Sequence, residues 1–159
     1  MQEWQGTPRA AGYRFAIVVS RFNPEITDGL LTGAREALAQ AEVRDDDVTL
    51  VRVPGAFELP VAAQRLAESG RFDAVICLGC LIKGDTMHFE YIADAATRGI
   101  SDVGLATGVP VAFGVLTTLT DEQAEVRARP GDGNKGREAA LAAVEMATLL
   151  RAIDGGPAA

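Results

Sequence analysis

Residues 73–82 constrain the fold more than any other part of the chain. They form a nearly unbroken apolar run of strand length, and strands of this kind are buried on both faces inside a parallel sheet. Three other β-branched or apolar runs have strand length, and they cover residues 13–20, 48–53 and 111–116. We therefore predict four strands, with residues 73–82 near the middle of the sheet.

Segments with helical features separate these strands. Apolar residues recur at helical spacing from Ile26 to Ala41, and Asn23 followed by Pro24 is typical of a helix start. Further helices are predicted to end near Ser69, to begin near Asp85 or Thr86, and to follow a capping box at residues 120–123 and a cap at Asn134. Because strands and helices alternate, we expect an α/β fold with one parallel sheet and right-handed crossovers.

The mass of the chain, 16.7 kDa, is typical of a single domain. We place it at residues 13–154. Residues 1–12 lack a helical period and are expected to form an arm or an edge strand, and residues 155–159 a loose tail.

Charge and hydropathy exclude several classes of partner. The net charge of −7 argues against a nucleic-acid surface, although a local cluster, made up of Arg127, Arg129, Lys135 and Arg137, would suit a phosphorylated substrate. No apolar run is long enough to span a bilayer, and the first residues lack the features of a signal peptide. We expect a cytoplasmic protein with no membrane or nucleic-acid partner.

Cys77 and Cys80 form a C-x-x-C pattern inside the predicted central strand. Their odd separation sends the two side chains to opposite faces of the sheet. We predict buried thiols, with neither a disulfide nor a metal site.

Three segments with polar or aromatic residues follow the first three strands, at residues 21–23, 54–60 and 84–88. Ligands of open α/β sheets bind outside the carboxyl ends of the strands, so these segments should meet at one rim. The third carries His88, the only histidine in the sequence, in the first turn of a predicted helix. Free N–H groups and the helix dipole attract anions there, and histidine transfers protons near neutral pH. The rim is thus predicted to combine an anion site with a proton-transfer group.

Each of these residues also has an ordinary structural interpretation. Phe22 could pack on its own helix as a hydrophobic staple, and Glu58 could be a surface carboxylate that the helix dipole stabilises. His88 could be a plain surface residue. Asp85 and Thr86 could cap the helix, a role that is compatible with ligand binding.

The remaining candidates lie away from this rim. Phe113 is early in the fourth strand, near the opposite end of the sheet. It suits ordinary core packing, or a site that belongs to a neighbouring subunit. For the basic cluster, a solvated surface is the commoner role.

Five sequence blocks resemble the lumazine synthase family of the riboflavin pathway. They are RFN at 21–23, PGAFELP at 54–60, GCLIKGDTMHFEYI at 79–92, GVPVAFGVLTT at 108–118 and GNKGREAALAAVEM at 133–146. The blocks occur in the family's order and spacing, so the resemblance covers nearly the whole chain.

The resemblance implies a flavodoxin-like three-layer sandwich and a transferase without cofactor or metal. The implied reaction is the penultimate step of riboflavin biosynthesis. There 5-amino-6-(D-ribitylamino)uracil condenses with 3,4-dihydroxy-2-butanone 4-phosphate to give 6,7-dimethyl-8-ribityllumazine, phosphate and water. Family sites lie between adjacent subunits of a homo-oligomeric pentamer, and in many members twelve pentamers form an icosahedral, sixty-subunit shell. Riboflavin synthase is a candidate partner.

Carried over by position, the resemblance implies His88 as the catalytic, proton-transferring residue. Phe22 would stack on the pyrimidine, residues 56–58 would hold the ribityl chain, residues 80–82 would line the ring pocket through their backbone, and residues 85 and 86 would bind the phosphorylated ketone. The substrate-binding residues implied on this rim are Phe22, Ala56, Phe57, Glu58, Cys80, Leu81, Ile82, Asp85 and Thr86. Three further residues are implied to enter the site from the neighbouring subunit: Phe113, Arg127 and Lys135. Arg127 would bind the phosphate.

Three departures from the family pattern are visible. Lys83 stands where arginine is common, and a point charge lacks the bidentate fork of a guanidinium, which puts a direct phosphate role in doubt. Met87 stands where smaller or polar residues are usual. The loop at residues 129–133 differs from the glycine- and lysine-rich version that is common in the family, but it has no insertion, which favours a shell. Two other functions stay open at this point: a non-catalytic flavin- or nucleotide-binding module, and a shell with a degenerate site.

Overall fold

The computed structural model describes residues 1–155, so the predicted loose tail lies, apart from Gly155, outside the described residues. It has four strands and five α-helices. The strands are β1 Phe15–Ser20, β2 Val48–Val53, β3 Ala74–Ile82 and β4 Val111–Thr118. The helices are α1 Pro24–Gln40, α2 Leu59–Glu68, α3 His88–Thr107, α4 Asp121–Ala128 and α5 Lys135–Ile153. Short 3₁₀ turns occupy Asp45–Asp47 and Ala56–Glu58.

The sheet is parallel throughout, with strand order β2-β1-β3-β4. Every residue of β1 is buried, as are the first seven of β3, because helices cover both faces. Helices α1, α4 and α5 pack on one face, and α2 and α3 on the other. This arrangement confirms the predicted α/β three-layer fold.

The two cysteines confirm the strand geometry. Cys77 belongs to the hydrophobic cluster under α2 and α3, and Cys80 to the cluster on the opposite face. Burial raises the pKa of the Cys77 thiol to about 12. Burial, followed by the charge of Asp121, raises that of Cys80 to about 11. Both thiols therefore stay protonated at neutral pH, and buried protonated thiols are poor nucleophiles.

Residues 1–12 contain no strand, so in this chain they form an arm and add no edge strand to the sheet. The arm instead lies along α5. The backbone N–H of Thr7 donates to Thr148 Oγ1 at 2.8 Å, and a Cβ on Gly6 would collide with the backbone of Glu145. Farther along, the N–H of Ala10 donates to the carbonyl of Ala41 at 2.8 Å.

Helix α3 begins at His88, later than the predicted start at Asp85 or Thr86. The Thr86 hydroxyl accepts the backbone N–H of His88 at 3.4 Å, a local bond that competes with helix formation. Residues 84–87 therefore form a turn that leads into the helix. Within residues 1–155, no helix combines the length and apolar character needed to cross a bilayer.

Candidate active site

The register of the sheet leaves the end of β3 open on one side. Pairing between β1 and β3 stops at Val19↔Leu78, whereas pairing between β3 and β4 continues to Ile82↔Thr118. The last residues of β3, 79–82, thus have a strand neighbour on one edge only. Cys80 uses its carbonyl on the open edge to accept Asn23 Nδ2 at 3.0 Å. Since backbone groups alternate along a strand, the N–H and C=O of Ile82 face the same open edge.

Asn23 sets the geometry of the loop that carries Phe22. Its backbone is left-handed, with φ 55° and ψ 59°, a conformation that asparagine adopts more readily than most residues. It precedes α1 as predicted, but its side chain makes no cap bond. The amide instead reaches across to β3, which holds the loop against the open strand end.

Phe22, Gly55 and Glu58 form one contiguous surface beside this opening. A Cβ on Gly55 would lie 2.9 Å from Phe22 Cδ2 and 3.3 Å from Glu58 Oε2, so the missing side chain at position 55 gives the ring its place. The Gly55 N–H donates to Glu58 Oε2 at 3.0 Å, which fixes the carboxylate. Phe22 remains 68% exposed, and its ring face is therefore available for stacking on a planar ligand.

The turn at residues 84–88 completes this half of the site. Asp85, Thr86 and His88 are all exposed, and within residues 1–155 the imidazole forms no hydrogen bond or ion pair. Ala56 is buried, whereas the neighbouring Phe57 is exposed. The segments at residues 21–23, 54–60 and 84–88 follow three parallel strands at the same edge of the sheet, and helix α3, which begins at the third segment, packs against the 3₁₀ turn Ala56–Glu58 in the second. We call this surface, made up of Phe22, residues 55–58, 80–82 and 85–88, the rim.

A second group of site residues lies on the β4 side. Phe113, Arg127 and Lys135 line one cleft of about 330 Å³ between β4, α4 and the start of α5. Phe113 is 45% exposed on the edge strand. The lining of this cleft includes no residue of the rim. Phe113, Arg127 and Lys135 thus lie together, but on a surface separate from the rim. We call this surface the cleft.

The two cations of the cleft differ in their availability. Lys135 Nζ lies 2.7 Å from Glu138 Oε2, so its charge has a local partner. Arg127 donates from Nη1 to the carbonyl of Gln123 at 2.9 Å, and no carboxylate within residues 1–155 forms an ion pair with it. Arg127 is therefore the better candidate for an anionic ligand.

Asn134 holds the cleft's walls in place. This side chain is only 1% exposed, and its Nδ2 donates to the carbonyls of Gly29, Ala128 and Arg129 at 3.0–3.1 Å. Its Oδ1 caps α5 by accepting the N–H of Arg137 at 2.9 Å. One buried amide thus ties α1, the end of α4 and the start of α5 together.

Sequence reasoning missed the roles of Asn23 and Gly55. The pattern Asn-Pro indicated only a local cap, because the Asn23 partner is 57 positions away. The Pro54-Gly55 pair indicated only a strand break. Gly55 has an extended backbone, with φ −147°, so the reason for a glycine there is the nearby ring and not the backbone angle.

The chain also matches a known protein family. The family model described as 6,7-dimethyl-8-ribityllumazine synthase matches residues 12–151. The chain belongs to that family. It is accordingly a transferase-type enzyme with lumazine synthase activity in riboflavin biosynthesis. Membership also implies substrate binding and assembly into an oligomer.

The described residues offer no evident set of metal ligands. Within residues 1–155, no group of three or more His, Cys, Asp or Glu side chains is placed to hold a metal ion.

Proposed function

We propose that this enzyme condenses 5-amino-6-(D-ribitylamino)uracil with 3,4-dihydroxy-2-butanone 4-phosphate. The products are 6,7-dimethyl-8-ribityllumazine, phosphate and water. The observation that carries the proposal is the division of the site into a rim and a cleft with complementary chemistry. The rim supplies an aromatic face, backbone groups and an imidazole, and the cleft supplies a guanidinium that forms no ion pair within residues 1–155.

The rim suits the pyrimidine substrate. Phe22 offers a ring for stacking, and the open edge of β3 offers the backbone groups of Cys80 and Ile82 to a uracil, with Leu81 lining the same strand end. The first N–H groups of the 3₁₀ turn, at Ala56 and Phe57, are free of intrahelical partners and would bind ribityl hydroxyls. Glu58 would accept from those hydroxyls.

The anion turn and the cleft suit the phosphorylated ketone. Asp85 and Thr86 lie immediately before α3, where the helix dipole favours a phosphate. Arg127 would contact the same phosphate from a neighbouring subunit, with Phe113 and Lys135 closing the wall. In this arrangement each site is complete only where the rim of one subunit meets the cleft of the next.

The reaction begins when the 5-amino nitrogen attacks the ketone carbon and water leaves, forming an imine. Removal of the proton on the adjacent carbon expels phosphate and leaves an enol. The enol becomes a second carbonyl as its terminal carbon gains a proton and becomes a methyl group. The ribityl-bearing amine then attacks this carbonyl, and loss of a second water closes the ring.

His88 would move the protons that these steps require. Its exposed imidazole follows the phosphate turn directly, so it can take a proton as the phosphate leaves and return it to carbon or oxygen. Most of the acceleration is expected from holding the two reactants together, which contributes about 7–11 kcal/mol in well-oriented cases.

Product formation tests the proposal directly. Purified protein mixed with both substrates should develop lumazine fluorescence and release phosphate, and omission of either substrate should abolish both signals. A non-catalytic flavin-binding module would bind flavin and produce no lumazine. A shell with a degenerate site would assemble and produce none either.

Mixing a rim variant with a cleft variant, at a ketone concentration far below the KM of the cleft variant, tests whether the site is shared between subunits. The rim variant is Phe22→Ala/His88→Ala, and the cleft variant is Arg127→Ala/Lys135→Ala. After random co-assembly in equal amounts, about one interface in four joins an intact rim to an intact cleft, because each half is intact in half of the chains. We therefore expect about a quarter of the wild-type activity.

The matched control combines Phe22→Ala chains with His88→Ala chains, whose lesions both lie in the rim. This mixture should gain nothing, and two affinity tags verify co-assembly in each case. If the rim and cleft variants co-assemble without any recovery, the site is not shared between subunits.

The assembly itself is part of the proposal. We propose a pentamer that continues into a shell of twelve pentamers, based on the uninterrupted loop at residues 129–133. A cytoplasmic location, and riboflavin synthase as a partner that would consume the product, belong to the same proposal. Sedimentation and electron microscopy distinguish the pentamer from the shell.

A further inference from the structure

We infer that Lys83 and Glu90 form a clasp that holds the turn at residues 84–88 in its phosphate-binding shape, so that both are positioning residues and not phosphate ligands. The inference rests on the proposed function, because it assigns how the phosphate turn of that site is maintained.

The clasp bridges the sheet and the helix. Lys83 directly follows β3, and its backbone N–H donates to the carbonyl of Thr118 at the end of β4, at 2.9 Å. Glu90 lies in the first turn of α3. The Lys83 Nζ lies 3.0 Å from Glu90 Oε1. The ion pair therefore spans the six residues between them, 84–89, which include the turn.

Other support for this turn is sparse. Residues 84–88 are all exposed. Within residues 1–155, the one side-chain hydrogen bond inside the turn is the long contact from the His88 N–H to Thr86 Oγ1, at 3.4 Å. Gly84 and its neighbours have no buried side chain to anchor them. Thus the position of Asp85, Thr86 and His88 depends on what holds the ends of the turn.

The charges of Lys83 and Glu90 compensate each other. The hydrogen bond from Lys83 lowers the pKa of Glu90, which keeps the carboxylate ionised at neutral pH. Its second oxygen, Oε2, is shielded from solvent and has no hydrogen-bond partner within residues 1–155. Glu90 therefore relies on Lys83 for compensation, and the lysine's charge is correspondingly engaged. Arg127, by contrast, has no carboxylate partner among residues 1–155, which leaves its charge available to phosphate.

A comparison of Lys83→Met, Glu90→Met and the double variant tests the clasp. Loss of either partner should raise the KM for the phosphorylated ketone by about tenfold, since small displacements of binding groups have large effects. The double variant should be no worse than either single variant, because the same clasp is lost in each. Lys83→Arg, which keeps the ion pair, should retain a KM near the wild-type value.

A direct phosphate contact gives a different pattern. If Lys83 bound phosphate, Glu90→Met would release the lysine and leave the KM unchanged or lower, and that result would overturn the inference. Arg98→Met is the matched control, because Arg98 forms an exposed ion pair with Asp94, at 2.9 Å, farther along α3. It should change neither kcat nor KM.

Hydrogen exchange supplies a readout that does not depend on product formation. The hydrogen-bonded amides that border the turn, Lys83 (to the Thr118 carbonyl, 2.9 Å) and Tyr91 (to the Met87 carbonyl, 3.3 Å), should exchange faster in both Lys83→Met and Glu90→Met. The melting temperature should stay close to that of the wild type, since exposed ion pairs contribute little to global stability. Unchanged exchange in both variants contradicts the clasp. A wild-type protein that makes no lumazine contradicts the proposed function instead, and the exchange result still decides the clasp.

Discussion

Replacing His88 by alanine is expected to lower kcat by about 10²–10⁴-fold, the usual contribution of a positioned acid or base. Turnover should not vanish, because Arg127, the anion turn and the rim still hold both substrates next to each other. The measurement is the steady-state rate of lumazine formation with both substrates saturating.

The His88 variant needs a check on folding and binding. His88 is exposed and its imidazole has no partner within residues 1–155, so its removal should leave the melting temperature and both KM values nearly unchanged. A mutant that turns over at the wild-type rate would remove His88 from the mechanism. A large rise in KM with an unchanged kcat would make it a binding residue.

Replacing Arg127 by alanine is expected to act mainly on binding. A charge-assisted hydrogen bond contributes about 1.5–3 kcal/mol, and loss of one corresponds to a rise of about 10- to 150-fold in the KM for the phosphorylated ketone. The KM for the pyrimidine and kcat should change much less, because a contact kept through the reaction contributes equally to the ground and transition states. Initial rates measured against each substrate separately show the difference.

Arg129 provides the matched control. It is an exposed arginine just beyond α4, two residues from Arg127, and it does not line the cleft. Arg129→Ala changes the net charge by the same amount and should leave both KM values unaltered. Arg127→Lys should lie between the wild type and Arg127→Ala, because an ammonium keeps the charge but loses the fork. If the two alanine variants behave alike, the effect comes from the general electrostatic field and the phosphate binds elsewhere.

Local sequence signals predicted most element positions well. The bounds of β2 agree at both ends, and Asn134 caps α5 as expected. Strand β4 runs two residues beyond its predicted end, to Thr118, because β3 continues past β1 and pairs with it there. The capping box at residues 120–123 was half right. Thr120 accepts the Gln123 N–H, but the Gln123 side chain accepts from Leu119 instead of Thr120.

The candidate site shows a similar division. Residue type and position after a strand were enough to single out His88 and Phe22. They could not reveal that Asn23 holds the rim loop against Cys80, or that Gly55 leaves room for the Phe22 ring. Each of these contacts joins residues far apart in the chain. Periodicity within a short segment cannot predict which distant residues come into contact.

The sequence by itself determined the alternation of strands and helices, and with it the parallel α/β sandwich, because apolar periodicity and helix caps act over a few residues. It also determined the family, through the five sequence blocks that carry the implied site residues. Only the tertiary structure decided that the site residues form two surfaces, the rim and the cleft. That separation follows from strand order: β1 and β3 lie in the middle of the sheet, whereas β4, which carries Phe113, is an edge strand. Which strand takes the edge depends on how helices pack across both faces, and this is a property of the whole fold.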